Sequence, residues 1–249
     1  MTLEEKVGQL CLRPVPGDQR RGGYFHLPFR RLSAVRTRLR TATGWLTWEQ
    51  FIQKIESYQD AAAIPLFIGS DEEGGTVTRA SRNPNLFSEP SKSPQKLNYI
   101  GGIEKFSGIR TPGAGNLRAL GINVNFAPVC DVSTDPKDFI YDRTLGQDAN
   151  MTADYVRLMV PAMTEGGTLP VLKHFPGYGN SADTHTGIAV DQRPMETLRL
   201  PTCCHLQGGD RSRDSFVLLV SRNIVNCMDP ELPAPSPLPF QNSAGRMRL

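Results

Sequence analysis

Leu169-Pro170-Val171-Leu172-Lys173-His174-Phe175 runs directly into Pro176-Gly177-Tyr178-Gly179-Asn180-Ser181-Ala182-Asp183-Thr184-His185-Thr186-Gly187. The first seven residues form a short, mainly apolar run suited to a strand buried on both faces. The next twelve are a polar loop rich in glycine and small residues. The same strand type recurs at Leu66-Phe67-Ile68-Gly69, at Ile122-Asn123-Val124-Asn125-Phe126-Ala127-Pro128-Val129 and at Phe216-Val217-Leu218-Leu219-Val220. Between the second and third of the four strands in chain order, Val156, Met159, Val160 and Met163 recur on one face of a helix from about Met151 to Thr164. Thr47-Trp48-Glu49-Gln50 reads as a capping box leading into Phe51, Ile52, Ile55 and Tyr58, an amphipathic helix to about Ala62. Thr2-Leu3-Glu4-Glu5 repeats the device before Leu3, Val7, Leu10 and Cys11. Strand, polar loop, helix, strand is the rhythm of an α/β fold with a parallel sheet and helical crossovers.

Polar residues cluster immediately after these strands. Asp71-Glu72-Glu73-Gly74-Gly75 follows the first, Cys130-Asp131 the second and Gly177-Tyr178-Gly179-Asn180 the third. Parallel α/β folds put ligands and chemistry at the carboxyl ends of their strands, so these loops are where a site is expected.

The 249 residues suit one domain, or one with a small appendage. No apolar run approaches the 18 residues a membrane helix needs. The first ten residues, MTLEEKVGQL, hold two acids and no apolar block, so no secretory signal is read and a cytoplasmic location is expected. The five cysteines are odd in number and show no zinc or disulfide spacing. The net charge of +3 is unevenly spread: eight arginines and one acid fall between Arg13 and Arg40. A basic arm of this kind could meet nucleic acid. It lacks zinc ligands, an RNA-binding aromatic signature and a helical period, so a solvated basic loop is the plainer reading, with no nucleic-acid and no membrane partner expected.

Asp183 and His185 lie two apart in the densest loop. A carboxylate there can orient an imidazole and raise its pKa, the pairing a general acid–base histidine needs. A bare Asp-x-His is also an ordinary turn with a surface histidine, but half of the chain's four histidines, His174 and His185, fall between Lys173 and Gly187, at and just after a strand end. His174, Asp183 and His185 could alternatively hold a metal, although their spacing fits no compact zinc pattern. No metal and no cofactor are expected. Gly177-x-Gly179-x-x-Ala182 matches a dinucleotide fingerprint only formally, since a poor helix start follows it. Asp71, Glu72 and Glu73 read either as a solvated turn or, with Asp71 at the strand end, as an acceptor for two sugar hydroxyls. Arg79 and Arg82 could balance their charge. Arg143 could be a second polar clamp, or simply pair with Asp142 at the surface. There is no serine nucleophile elbow and no P-loop.

Together, MTLEEKVGQL, IPLFIGSDEEGGTVTR, INVNFAPVCDVSTDP, IYDRTLGQD and VLKHFPGYGNSADTHTGIAVDQRP resemble family 3 glycoside hydrolases, in their β-N-acetylglucosaminidase (β-N-acetylhexosaminidase) branch. The segments lie in the family's order and cover about half of the chain. The resemblance implies a (β/α)₈ TIM-type barrel, here incomplete at roughly its first half. It also implies a retaining double displacement that releases terminal β-linked N-acetylglucosamine from an amino-sugar glycoside or peptidoglycan fragment. By resemblance, His185 matches the general acid–base with Asp183 as its partner. Asp71, Arg79, Arg143, Lys173 and His174 match the residues that hold the sugar. The family's nucleophile, an aspartate in a Thr/Ser-Asp-Asp segment, has no counterpart: Asp210, Asp214 and Asp229 lie in other contexts. Four strand candidates are visible where a barrel needs eight. The chain is therefore expected to be a family member truncated on its C-terminal side. Residues 1–200 form a partial barrel domain with an irregular basic segment at 12–45, and residues 201–249 a divergent, proline-rich tail. Loss of pattern near 12–45, 201–215 and after 234 suggests a disturbed reading frame. Little or no turnover is expected, the alternative being a non-catalytic N-acetylglucosamine-binding fragment.

Overall fold

The apolar stripes read from the sequence, with a cap read for the first, set the two long helices. In the computed structural model, which describes residues 12–14, 32–34, 40–41, 44–62, 64–88, 90–99, 114–179, 181, 183, 187–198 and 216–234, the Gln50 amide donates to the Thr47 hydroxyl at 3.3 Å. The Thr47 amide donates back to Gln50 Oε1 at 3.0 Å, and α1 runs Trp48–Asp60 from this reciprocal cap. The short helices α2 (Pro94–Tyr99) and α3 (Ala114–Ala119) follow. α4 (Ala149–Glu165) starts at Asp148, whose carboxylate accepts from the Met151 amide at 2.9 Å, and α5 (Met195–Leu198) is a single turn.

The strands are β1 (Leu12–Pro14), β2 (Leu32–Ala34), β3 (Arg40–Thr41), β4 (Gly44–Trp45), β5 (Ile68–Ser70) and β6 (Glu72–Gly74). They continue as β7 (Val77–Thr78), β8 (Val124–Asn125), β9 (Leu169–Phe175), β10 (Val190–Asp191), β11 (Val217–Val220) and β12 (Ile224–Val225). Six form one sheet in the order β1-β2-β5-β8-β9-β11, parallel at every pairing. The order follows the chain without the reversal that marks a doubly wound sheet, the progression a barrel uses. β3–β4 and β6–β7 are antiparallel pairs, and β10 lies parallel to β12.

Among the described residues the main sheet thus has two more strands than the four read from sequence. β1 and β2 come from the arginine-rich stretch, where three-residue strands between charges leave no apolar run to see. β9 has the expected bounds. The strand expected over 122–129 contracts to β8. Beyond it the pairing continues as single contacts, with the Val171 amide donating to the Ala127 carbonyl at 3.0 Å and a bridge from Val129 to Lys173. Pro128 has no amide to extend the ladder. The expected first helix, the segment 201–215 and the proline-rich end beyond 234 lie outside the described residues.

Two apolar layers cover the sheet. Phe51 and Ile55 of α1 pack with Ile68, Leu120 and Ile122. Tyr155, Val156, Met159, Val160 and Met163 of α4 pack with Ala127, Cys130, Leu145 and Leu172. Each such side chain contributes about 1.5–3 kcal/mol when fully buried. Phe126 lies against Gly69, where an added Cβ would sit 2.6 Å from the ring, so only glycine fits that strand position. Farther along the chain, Leu198, Val225 and Ala234 bury one another.

Candidate active site

Asp71 follows β5, Glu72 and Glu73 belong to β6, Asp131 follows β8, and Lys173 and His174 sit near the end of β9. Parallel neighbours bring all these strand ends to one edge of the sheet. Arg143 reaches the same place from a single 3₁₀ turn, Tyr141–Arg143.

The resulting network alternates in charge. Lys173 Nζ donates to Asp71 Oδ1 at 2.9 Å and also contacts Glu73 Oε1. Arg143 binds Glu73 through two parallel bonds, Nε to Oε2 at 2.9 Å and Nη2 to Oε1 at 2.8 Å, the fork geometry that suits guanidinium and carboxylate. Arg143 Nη2 lies 3.3 Å from His174 Nε2, and His174 Nδ1 lies 2.7 Å from Asp131 Oδ2. A guanidinium offers only donors. Nε2 must therefore accept, which assigns the ring proton to Nδ1 and its bond to Asp131. The same carboxylate receives the His174 amide at 3.2 Å and the Tyr178 amide at 2.6 Å. Tyr178 packs edge-on against the imidazole, with ring centroids 4.8 Å apart.

Burial alone would raise the Asp131 carboxyl. The His174 imidazole and the hydrogen bonds from His174 and Tyr178 outweigh it and hold the group below the ordinary carboxylate range. Asp71 shows the same balance: desolvation pushes it up, while the charge and hydrogen bond of Lys173, then Arg79 and Arg143, pull it lower. Desolvation opposes the charge on Arg143, but its bonds to Glu73 raise it overall. Asp71 keeps 30% of its side chain exposed, whereas Lys173 and Glu73 keep 3% and 1%. Asp71 is thus the carboxylate of this network left open to a ligand, with buried charges fixing it from beneath.

Asp71, Arg79, Arg143, Lys173 and His174 therefore converge. Arg79 stands 3.6 Å from Asp71 Oδ2. The surface pairing of Arg143 with Asp142 gives way to Glu73, because the fork on a shielded carboxylate outcompetes a solvated neighbour. Arg82 does not join the acids: it is exposed and donates to the Thr76 carbonyl. The solvated-turn reading of Asp71-Glu72-Glu73 also fails. Glu72 is buried and accepts from the Arg79 amide at 2.9 Å and the Ser81 hydroxyl at 2.7 Å, which pins the β6–β7 hairpin. Glu73 and Asp131 are the residues that sequence reasoning left without a role. The signal was their place directly after strands. Asp183 is half-buried, and His185 lies outside the described residues. Both His174 nitrogens are engaged, one by a carboxylate and one facing a cation, so His174 is a poor metal ligand. Among the described residues no group of three potential ligands could hold a metal ion.

The model of the glycosyl hydrolase family 3 N terminal domain matches residues 2–206. The chain belongs to glycosyl hydrolase family 3. It is 35% identical over 137 residues to the beta-hexosaminidase LpqI of Mycobacterium tuberculosis, covering 54% of this chain and 34% of that protein. It is 32% identical over 163 residues to a beta-hexosaminidase of Xylella fastidiosa, covering 60% and 45%. This family 3 chain thus spans about a third to somewhat under half of these relatives. A family 3 beta-N-acetylglucosaminidase structure from Paenibacillus sp. str. FPU-7 superposes with TM-score 0.76 at 25% identity, over 94% of this chain and 44% of that one. A beta-N-acetylhexosaminidase from Beutenbergia cavernae gives TM-score 0.77 at 21% identity, over 100% and 76%, a likeness of fold alone. The solved neighbours share the α/β fold with its mainly parallel sheet.

Proposed function

We propose that this chain carries the sugar-holding part of a retaining β-N-acetylhexosaminidase site and binds a terminal β-linked N-acetylglucosamine of an amino-sugar glycoside or peptidoglycan fragment. The observation that carries the reading is the buried ladder Asp71–Lys173–Glu73–Arg143–His174–Asp131 at the strand ends. It holds donors and acceptors at fixed positions, as recognition of a polyol requires. Asp71, locked on one oxygen by Lys173, keeps lone pairs to accept from neighbouring hydroxyls. Arg79, Arg143 and His174 line the same ground. The family match and the hexosaminidase relatives support the substrate class.

In the same reading His185, oriented by Asp183, protonates the glycosidic oxygen and later activates water. The 249 residues contain no Thr/Ser-Asp-Asp segment to supply the attacking carboxylate. Without an attacker the covalent step does not start, so the chain alone binds sugar but turns over little or none of it. The six parallel strands in chain order fit part of an eight-stranded barrel, more than the half that four strands would supply.

Calorimetry with N-acetylglucosamine tests the reading. Binding should weaken at least about tenfold in Asp71→Asn, the loss of one charge-assisted hydrogen bond. An aryl N-acetyl-β-glucosaminide should give no burst and no sustained release. Unchanged affinity in the variant would overturn the binding role, and substantial turnover would overturn the prediction of inactivity.

A further inference from the structure

Arg193 lies on the return from the candidate acid–base loop, two residues beyond a buried aspartate, Asp191. Its Nε donates to Asp191 Oδ1 at 2.9 Å and Oδ2 at 3.1 Å, and its own amide donates to Oδ1 at 2.9 Å. Asp191 therefore fixes the guanidinium in one orientation. Nη2 also binds Asp191 Oδ2, and it donates to the Gly177 carbonyl at 2.6 Å. Gly179 packs on the other side of the guanidinium, where a Cβ would collide with Nη1.

The Gly177 carbonyl and the Tyr178 amide are the two ends of one planar peptide unit. Arg193 holds the oxygen of that unit and Asp131 holds its N–H at 2.6 Å. The unit's dipole lies with its negative end at a cation and its positive end at a carboxylate, so each bond polarises the other. Beyond Asp131 the next bond is to His174 Nδ1. We infer that Arg193 is a positioning residue: through the Gly177–Tyr178 peptide it sets Asp131, and through Asp131 it supports the Nδ1–H tautomer of His174, which leaves Nε2 as the acceptor for Arg143.

The meaning of this device for sugar binding rests on the function proposed above, but its test needs no sugar. Imidazole ¹⁵N spectra, with His174 identified by its absence in His174→Gln, report the tautomer directly. The intact chain should show Nδ1–H. Arg193→Met should reduce the ratio of Nδ1–H to Nε2–H by about five- to tenfold, the worth of one net hydrogen bond. Arg193→Lys, which still neutralises Asp191, should recover part of the ratio. Where Arg193→Met does not fold because Asp191 is left unpaired, Asp191→Asn combined with Arg193→Met serves in its place, and Arg193→Lys reads the effect independently. A folded variant with the tautomer ratio unchanged overturns the inference. A shifted ratio with undiminished affinity for N-acetylglucosamine upholds the positioning and refutes instead the reading that His174 holds the sugar.

Discussion

Glu73 takes both prongs of Arg143 and a contact from Lys173 while almost wholly shielded from water. One carboxylate thus bridges two cations that arrive from distant parts of the chain, Lys173 being shared with Asp71. Removing its charge takes away the carboxylate that Arg143 grips and leaves Lys173 with Asp71 alone. Glu73→Gln is expected to cost about 3–5 kcal/mol, the penalty for breaking a buried pair from one side. Urea denaturation measures it, and a loss under about 1 kcal/mol would mean that the cations find water. The residue scale is also where sequence reading was weakest. Asp71, Arg79, Arg143, Lys173 and His174 were legible through family resemblance. Glu73 was not, because three consecutive acids look like a solvated turn until their partners are known, and Arg143 lies 70 positions away. Asp131 was visible only as a polar residue at a strand end.

At the scale of elements, local rules served well where they act on neighbours in sequence. The α1 cap needs only Thr47 and Gln50, three residues apart. Thr47→Ala should destabilise the chain by about 0.5–2 kcal/mol, read as a lower thermal midpoint, while Thr47→Ser should retain most of the stability. An unchanged midpoint in the alanine variant would show that packing of Phe51 and Ile55 alone holds the helix start. The α4 stripe and β9 were equally legible, since their apolar periods are long enough to register. β1 and β2 were not. Three-residue strands in an arginine-rich stretch carry almost no period, and they exist as strands because β1 pairs with β2 and β2 with β5.

Across the molecule, the site links stability to acidity. Asp71 and Asp131 are both held below the ordinary carboxylate range in the folded chain. A carboxyl depressed by folding adds stability that is complete above its unfolded value and lost as the pH falls through its folded one. Thermal midpoints should therefore hold from neutrality to about pH 4 and drop below it. Asp131→Asn should drop less steeply, and parallel acid slopes would show that Asp131 carries no linkage. The sequence alone determined the parallel α/β rhythm, the two long helices and the family to which the chain belongs, because periodicity, caps and motifs are properties of residues near one another in the chain. Tertiary structure decided which of three adjacent acids stays partly exposed and which lie buried beneath it. It also decided which nitrogen of His174 bears the proton, and that Arg193 reaches the same site through a single peptide. Those outcomes depend on desolvation and on charges brought together from separate strand ends, and neither is encoded in any one stretch of the chain.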